Sequence, residues 1–330
     1  MVPMLDEAVE LAAENGAHEV VIGMAHRGRL NVLAHTLGLG YDSILREFEG
    51  ERTIEAVVAT DEGGTGDVKY HLGAEGTRST PAGDITVTLA ANPSHLEAVD
   101  PVVEGRAAPS RRTARPATAC TTRVSRCRCL IHGDASFAGQ GGVAETLNLS
   151  ALEGYSTGGS LHLIANNQVG FTTDPSEGRS TRYSSDLAKG YDVPIIHVNA
   201  DDPEAAISAV RLALAFRRRF GATSSSTWSD IDATVTTSRT RRRTRSRLMA
   251  AQIAGHATVR EQFASTADRG RRRHSRGSRP AAGRGHVGLK QAHEALKATF
   301  GEAPQPEEKI PYSERATGSS RLSRPIVCAS

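Results

Sequence analysis

Short apolar runs alternate with amphipathic segments along residues 1–221. Within residues 4–15 the apolar side chains recur every three or four positions, which predicts a helix. The run HEVVIGMA at 18–25 is almost continuously apolar, as in a strand that is buried on both faces. A second helix is predicted over 29–37. A strand, a turn and a helix in this order begin an α/β unit.

The alternation continues and ends in a long helix. Further strands are predicted over 85–90, 160–165 and 193–200, and another strand ends at 130–132. Helices are predicted over 143–152, 202–218 and part of 91–105, and Gly-rich loops over 61–73 and 133–142. Asp202 is a suitable N-cap for the long helix, and Pro203 suits its first position. This order predicts a parallel sheet with helices on both faces.

Polar side chains follow several predicted strands, at the point where each strand ends. They are His26, Asn92, Asp134 after Gly133, and the pair Asn166-Asn167. Ligands of such sheets bind outside the carboxyl ends of the strands, so we expect these loops to meet at one edge. Several polar loops that converge on one edge are typical of a cofactor site.

Charge is unevenly distributed along the chain. The net charge is only +3 over 330 residues, but residues 106–129 contain 7 Arg and no acid, and residues 222–288 contain 14 Arg and only four acids. The remainder of the chain is acidic. Hydrophobic residues make up 38% and aromatic residues 4%, which is low for a large core. We therefore expect the two Arg-rich inserts to be irregular or disordered.

The sequence argues against several classes of protein. No window of about eighteen apolar residues is present, so no membrane span is expected. The start MVPMLDEAVELAAENG has acids where a secretory signal has a basic flank, and a cytoplasmic location is expected. Cys127 and Cys129 do not have the spacing of a zinc or redox pair. The Arg runs at 239–247 and 269–279 contain no Phe, Tyr or Trp to stack on bases, so no nucleic-acid partner is expected.

The triplet Gly133-Asp134-Ala135, followed after a gap by Asn166-Asn167, resembles the signature of thiamine-diphosphate enzymes, which is usually Gly-Asp-Gly and an Asn pair. A diphosphate needs a divalent cation, and Mg²⁺ prefers hard oxygen ligands in an octahedron. The resemblance implies three protein ligands, which are the Asp134 carboxylate, the Asn167 side-chain oxygen and the Val169 backbone carbonyl. The alternative interpretation of the motif is a surface turn and a helix cap.

The segments around this motif are similar to successive signature blocks of the decarboxylating component of 2-oxoglutarate dehydrogenase complexes. The blocks are GMAHRGRLNVLAHTLG (23–38), GDVKYHLG (66–73), LAANPSHLEAVDPVVEG (89–105), HGDASFAGQGGVAETLNLS (132–150) and NNQVGFTT (166–173). They occur in the expected order. More distant thiamine-diphosphate enzymes share the metal signature only, and Ala135 in place of Gly is typical of the 2-oxoglutarate branch.

The resemblance implies roles for individual residues. His26, His71 and His95 are the candidate catalytic residues, with His71 near the substrate entrance. The candidate cofactor-binding residues are Arg27, Ser94, Gly133, Asp134, Ala135, Ser136 and Asn167. Arg27 suits a diphosphate or a carboxylate because its guanidinium presents paired donors. The alternative for each histidine is a hydrogen-bonded structural residue.

The activity implied by the resemblance is the oxidative decarboxylation of 2-oxoglutarate, with transfer of the succinyl group to the lipoyl arm of a succinyltransferase component. Thiamine diphosphate and Mg²⁺ are the implied cofactors, and a homodimer is the implied assembly. The glutamate that activates the cofactor belongs to a later domain, and this chain offers no candidate for it. We expect residues 1–221 to form the diphosphate- and Mg²⁺-binding α/β domain, and 289–330 to form a helix and a disordered tail.

Two stretches depart from the family pattern. Residues 106–129 and about 222–247 show neither helical nor strand periodicity, and their Arg bias suggests GC-rich codons read in a shifted frame. One back-translation of 230–238, when shifted, gives Tyr-Arg-Arg-His-Gly-His-Asn-Glu, the next block expected in the family. The chain is also expected to begin inside a domain. The sequence therefore predicts a partial, frame-disrupted chain, a hypothesis that sequencing of the coding DNA tests.

Other functions remain open at this point. The related 2-oxoadipate dehydrogenases and the carboligating 2-oxoglutarate decarboxylases are not separated from the first assignment by these residues. An inactive fragment and an Arg-rich nucleic-acid binder are the alternatives from other classes. Binding of thiamine diphosphate with Mg²⁺ distinguishes the enzyme from both.

Overall fold

The computed structural model describes residues 1–49, 71, 73–106, 126–155, 157–168, 170, 173–222, 224–229, 255–271 and 284–299. Its centre is a sheet with the strand order β2-β3-β1-β4-β5-β7-β6. The strands are β1 (Glu19–Met24), β2 (Ala74–Thr80), β3 (Gly83–Leu89), β4 (Arg126–Gly133), β5 (Leu161–Asn166), β6 (Ile195–Asn199) and β7 (Ser224–Ser229). All neighbouring pairs are parallel except β2 and β3, which form an antiparallel hairpin.

Ten α-helices are present in the described segments, and several of them lie against the two faces of this sheet. They are α1 (Val2–Glu14), α2 (Arg29–His35), α3 (Tyr41–Glu49), α4 (Asp100–Arg106), α5 (Asp134–Gly139), α6 (Gly141–Leu149), α7 (Pro175–Gly178), α8 (Pro203–Phe220), α9 (Val259–Arg271) and α10 (Arg284–Thr299). Two 3-10 helices span Glu153–Tyr155 and Ser184–Tyr191. None of the helices in the described segments is long and apolar enough to cross a membrane.

The core is divided by the sheet into two layers. On one face α1 and α8 pack against the strands, where Leu5 and Val210 join Ile22 and Cys129 in one buried cluster. On the other face α4 contributes Val103 to a separate buried cluster. Burial of apolar side chains on both faces explains why the central strand β1 has a nearly continuous apolar sequence. The predicted fold class, a parallel sheet flanked by helices, is confirmed.

The long helix α8 begins and ends where its sequence indicates. The Asp202 carboxylate accepts a hydrogen bond from the backbone N–H of Ala205 at 2.9 Å, and Pro203 occupies the first turn. Gly221 adopts a left-handed conformation with φ of 62°, which glycine tolerates without strain. The predicted N-cap is therefore confirmed, and the helix extends two residues beyond its predicted end at 218.

The prediction of an irregular insert over 106–129 is wrong at both ends. Arg106 closes α4, and residues 126–129 begin β4 in the middle of the sheet. The strand is accommodated because Cys127 and Cys129 are small and buried on one face, while Arg128 on the other face lies 3.7 Å from Glu104. Residues 107–125 lie outside the described residues.

Three further expectations need correction. The stretch over 222–288, which was expected to be irregular, contains β7, α9 and the start of α10. β7 forms part of the sheet because it pairs with β5 on one side and with β6 on the other. The loop predicted over 133–142 contains the helical turn α5, because Asp134 starts a helix directly after the strand. The hairpin strand β2 was not predicted because it is largely polar, with one side exposed.

Candidate cofactor site at the carboxyl edge of the sheet

The carboxyl ends of β1, β3, β4 and β5 lie side by side. In the register of the sheet Met24 is opposite Ile131, and Gly133 is opposite Ala165. The chain segments that follow these strands contain His26, Asn92, Asp134 and Asn167. The structure therefore brings the four predicted loops to one edge, as the sequence indicated.

Asp134 is the first residue of α5, and it is 2% exposed. Its Oδ2 atom accepts a hydrogen bond from Nη1 of Arg179 at 3.1 Å, whereas its Oδ1 atom is buried and has no hydrogen-bond partner among the described residues. Burial raises the pKa of this carboxyl group, and the Arg179 guanidinium opposes that rise. A buried carboxylate oxygen that lacks a partner is suited to a cation, because the ion replaces the lost hydration.

The loop after β5 turns tightly against the start of α5. Gln168 has a positive φ of 56°, and its backbone N–H donates to Oδ1 of Asn166 at 3.2 Å. A Cβ atom placed on Gly170 would lie 2.9 Å from Cβ of Ala135, so the two segments are in close contact. Asn167 is partly buried in this loop. Val169, the third predicted metal ligand, lies outside the described residues.

Gly133 and Ser136 close the turn between β4 and α5. The Ser136 hydroxyl donates to the Gly133 carbonyl oxygen at 3.2 Å. Gly133 has an extended conformation with φ of −81°, so its φ value does not require glycine. Both residues lie beside Asp134, which is consistent with their predicted place in the site.

Two of the three candidate histidines are in contact. The rings of His26 and His71 have centroids 5.0 Å apart, and Nε2 of His71 lies 3.3 Å from the Ser94 hydroxyl. Nδ1 of His26 and Oδ1 of Asn92 are both buried, and neither has a hydrogen-bond partner within the described part of the chain. These atoms form a polar surface that can accept hydrogen bonds from, or donate them to, a small anionic molecule.

The remaining two candidates are less constrained. The side chains of Arg27 and His95 are exposed. Within the described segments, no contact joins either side chain to His26, His71 or Asp134. The backbone carbonyl of His95 accepts a hydrogen bond from the Ala98 N–H at 3.2 Å, which starts the turn leading into α4. Their predicted roles stay predictions.

A buried hydrogen-bonded network lies beneath the site, and sequence reasoning missed it. Nδ1 of His132 is 2.7 Å from Oε2 of Glu97, and Nε2 of His132 is 2.9 Å from Nδ1 of His162. Asp100 completes a cluster whose potential ligand atoms lie within 4.8 Å of one another. A separation of 2.7 Å is that of a hydrogen bond and is too short for a metal ion between the two atoms. The side chains of this cluster are therefore joined by hydrogen bonds and not by a metal ion.

The electrostatics of this network follow from burial and proximity. Burial disfavours the charged form of His132, but Glu97 and Asp100 outweigh this effect and raise its pKa. Burial also raises the pKa of Asp100 to about 7. Burial lowers the pKa of His162 well below its usual value, and the neighbouring His132 adds to the effect. The network links the loop of Ser94 to the two strands that precede Asp134 and Asn167.

A buried arginine connects the ends of two strands at the carboxyl edge of the sheet. Arg29 is fully buried and donates to the carbonyl oxygen of Met24 at 3.2 Å and to that of Ala90 at 2.5 Å. Burial lowers the pKa of Arg29 to about 10, which still leaves it charged at neutral pH. The guanidinium therefore holds together the carboxyl ends of β1 and β3. Sequence reasoning did not single out Arg29, and its place in the HRGR sequence is the signal that could have identified it.

Comparison with known proteins assigns the class of this fold and site. Residues 1–223 match the family model described as "Dehydrogenase E1 component", and the chain therefore belongs to the dehydrogenase E1 component family. This family is dependent on thiamine diphosphate.

The similar curated proteins are more specific. The chain is 56% identical over 228 residues to the 2-oxoglutarate dehydrogenase E1 component of Geobacillus kaustophilus (strain HTA426), an alignment that covers 67% of this chain and 24% of that protein. It is 55% identical over 221 residues to the protein of the same name from Bacillus cereus (strain G9842), with 67% and 23% covered. For that of Bacillus pumilus (strain SAFR-032) the identity is 52% over 230 residues, with 67% and 24% covered. The chain thus spans about a quarter of the length of the curated relatives it matches.

Proposed function

We propose that this chain supplies the diphosphate- and Mg²⁺-binding part of a 2-oxoglutarate dehydrogenase E1 component. The reaction proposed for the whole protein is the oxidative decarboxylation of 2-oxoglutarate, with transfer of the succinyl group to the lipoyl arm of a succinyltransferase. The relatives' names support the substrate, and the geometry around Asp134 supports the cofactor. A homodimer and the lipoyl-bearing partner belong to the same proposal.

The observation that carries the proposal is the buried Oδ1 atom of Asp134, for which no described residue provides a hydrogen-bond partner. It lies at the carboxyl end of β4, and Asn167 leaves the adjacent strand β5 at the same edge. Carboxylate and amide oxygens are the ligand types that Mg²⁺ prefers. The residues present therefore fit a magnesium diphosphate.

The cofactor, when bound, supplies the nucleophilic carbon and accepts the electron pair released as CO₂ leaves. The chain's own residues bind and orient. Asp134 and Asn167 would hold the cation at this edge of the sheet. His26 and Asn92 offer their unpartnered polar atoms to the 2-oxo acid, and Ser94 orients the His71 ring through their contact at 3.3 Å.

Binding of Mg²⁺ with thiamine diphosphate to the full chain, measured by titration calorimetry, tests the proposal. Asp134→Asn keeps the size of the side chain and removes the charge, so we expect affinity to fall by about tenfold or more. Asp84→Asn is the matched control, because Asp84 is exposed on the β2–β3 hairpin and contacts only Ser79 among the described residues. Equal affinity of Asp134→Asn and wild type contradicts the proposed site.

The substrate is tested separately on the chain loaded with Mg²⁺ and thiamine diphosphate. Titration with 2-oxoglutarate and with 2-oxoadipate measures which 2-oxo acid binds. We expect tighter binding of 2-oxoglutarate, and His26→Ala to weaken it because the buried Nδ1 donor or acceptor is lost. Preference for 2-oxoadipate assigns the chain to the related dehydrogenase instead.

A further inference from the structure

Arg179 is a partly buried cation at the proposed metal site, and no signature block includes it. Its side chain is 11% exposed and follows the short helix α7. Nη1 lies 3.1 Å from Oδ2 of Asp134, whose side chain is 3% exposed. A charged side chain of this size is seldom buried without a partner of opposite charge or a ligand.

Local turns place Arg179 against α5. The backbones of Gly170 and Thr173 exchange two hydrogen bonds, at 3.1 and 2.9 Å, which reverse the chain just after the Asn167 loop. The N–H of Gly178 then donates to the Asp174 carbonyl at 2.9 Å and closes α7. Gly170 and α7 thus lie against α5. The position of Arg179 follows from these turns.

The contact with Asp134 leaves both partners with capacity for a ligand. Oδ1 of Asp134 is buried and has no hydrogen-bond partner in the segments that the structure describes, so the carboxylate can bind a cation through Oδ1 while Oδ2 keeps its contact with Arg179. In the described part of the chain, Nη1 is the one donor of Arg179 that has a partner. A guanidinium carries several donors in a planar fork that matches phosphate oxygens.

Charge balance decides what the remaining donors bind. A divalent cation and a guanidinium on one buried carboxylate give an excess of positive charge, which is unfavourable in a site of low dielectric. A diphosphate restores the balance, because its oxygens bind both the metal ion and the arginine. We propose that Arg179 is a diphosphate-binding residue, whose guanidinium bridges Asp134 and a phosphate oxygen of the cofactor.

The inference rests on the proposed function, and calorimetry on the full chain tests it. The variants are Arg179→Gln and Arg179→Lys, with Arg182→Gln as the matched control. Arg182 is exposed, lies on the same segment and contacts the Tyr183 ring rather than Asp134. The titrants are Mg²⁺ alone, and Mg²⁺ with thiamine diphosphate, with inorganic pyrophosphate or with unphosphorylated thiamine.

We expect Arg179→Gln to weaken binding of thiamine diphosphate about 10- to 100-fold, the loss typical of a charged hydrogen bond. Binding of pyrophosphate falls in parallel, and that of thiamine without phosphates does not change. Arg179→Lys retains part of the affinity because the charge remains but the fork is lost. Arg182→Gln binds as the wild type does. Equal thermal melting of the variants excludes a general loss of the fold, and where Arg179→Gln melts early, the same comparison is made with Arg179→Lys.

Several outcomes overturn the inference. If Arg179→Gln binds thiamine diphosphate as tightly as wild type or more tightly, Arg179 is only a counter-ion of Asp134. A loss for pyrophosphate but not for thiamine diphosphate means that the arginine serves a free anion. In both cases a loss of binding in Asp134→Asn leaves the proposed function standing. If the wild-type chain binds no thiamine diphosphate, the proposed function fails and the inference fails with it.

Discussion

Replacement of Gly170 by alanine is a direct test of how the two metal-binding segments pack. A Cβ atom at position 170 would lie 2.9 Å from Cβ of Ala135, whereas ordinary contacts of this kind begin at 3.4 Å. The neighbouring atom belongs to a helix that is fixed at the end of β4, so the loop that bears Asn167 must move. The required displacement is at least about half an ångström.

The expected cost follows from this overlap. Overpacking of this kind destabilises proteins by about 1–3 kcal/mol. Mg²⁺ tolerates little change, because it requires nearly ideal octahedral ligands at about 2.0–2.1 Å. If this destabilisation applies in full to the conformation that binds the cofactor, the dissociation constant of Mg²⁺ with thiamine diphosphate rises about 5- to 150-fold.

The assay has two readouts. Urea denaturation gives the free energy of unfolding, and calorimetry gives the affinity. Ala135→Gly removes the opposing methyl group, so the double variant Gly170→Ala/Ala135→Gly should recover most of the affinity. The single variant Ala135→Gly corrects for the helix propensity of glycine, which costs about 1 kcal/mol. Gly139→Ala is the control, since a Cβ atom at Gly139 meets nothing within 4 Å.

Two results would refute the reasoning. Unchanged stability and affinity in Gly170→Ala would mean that the segments are not in contact. Additive effects of the two substitutions, with no recovery in the double variant, would mean that the methyl groups do not meet.

Three other predictions concern the buried groups around the site. Because the pKa of Asp100 is raised to about 7 by burial, the folded state binds its proton more tightly than the unfolded state, and stability falls as pH rises from about 4 through 7, by up to about 4 kcal/mol. The free energy of unfolding, measured by urea denaturation at pH 5.5 and pH 8, should change less with pH in Asp100→Asn than in wild type. An equal change in the two proteins would contradict this prediction. Phe137 is fully buried with its ring edge-on to His132, so Phe137→Ala should lower the free energy of unfolding by about 3–5 kcal/mol, and a loss below about 1 kcal/mol would reject that packing. Burial raises the pKa of the Cys129 thiol, so iodoacetamide should modify it at pH 8 only after the protein unfolds. Peptide mass spectrometry measures the modification, and labelling of the native chain at the rate of a free thiol would contradict the prediction.

Much of the fold was predictable because its determinants are local. The buried strand β1 has a nearly continuous apolar sequence, and α8 has its N-cap and its proline at the predicted positions. The pairing of Asp134 with the Asn167 loop was also predictable, because both follow strands of a parallel sheet. Local pattern and strand order together give these features.

The features that sequence reasoning missed depend on distant partners. The start of β4 has an unfavourable composition, and contacts with Glu104 and Thr157, which lie elsewhere in the chain, help to explain how Arg128 is buried there. Arg179 reaches Asp134 through two successive turns that no periodicity reveals. The contact of Glu97 with His132 likewise joins a loop to a strand. Such long-range polar contacts are specified by the complete fold and not by any short segment.

The order in which the strands are synthesised has a consequence for truncated forms of this chain. β6 precedes β7 in the sequence and is therefore synthesised first. Among the described strands its pairing partner is β7, which lies between β5 and β6 in the sheet. The stretch that matches the family model ends at residue 223, immediately before β7 begins at Ser224. A polypeptide cut at that boundary would keep Asp134, Asn167 and Arg179 but leave the hydrogen-bonding edge of β5 open. Unpaired edges of this kind promote self-association, so we expect a chain cut at residue 223 to aggregate more readily than one that includes β7.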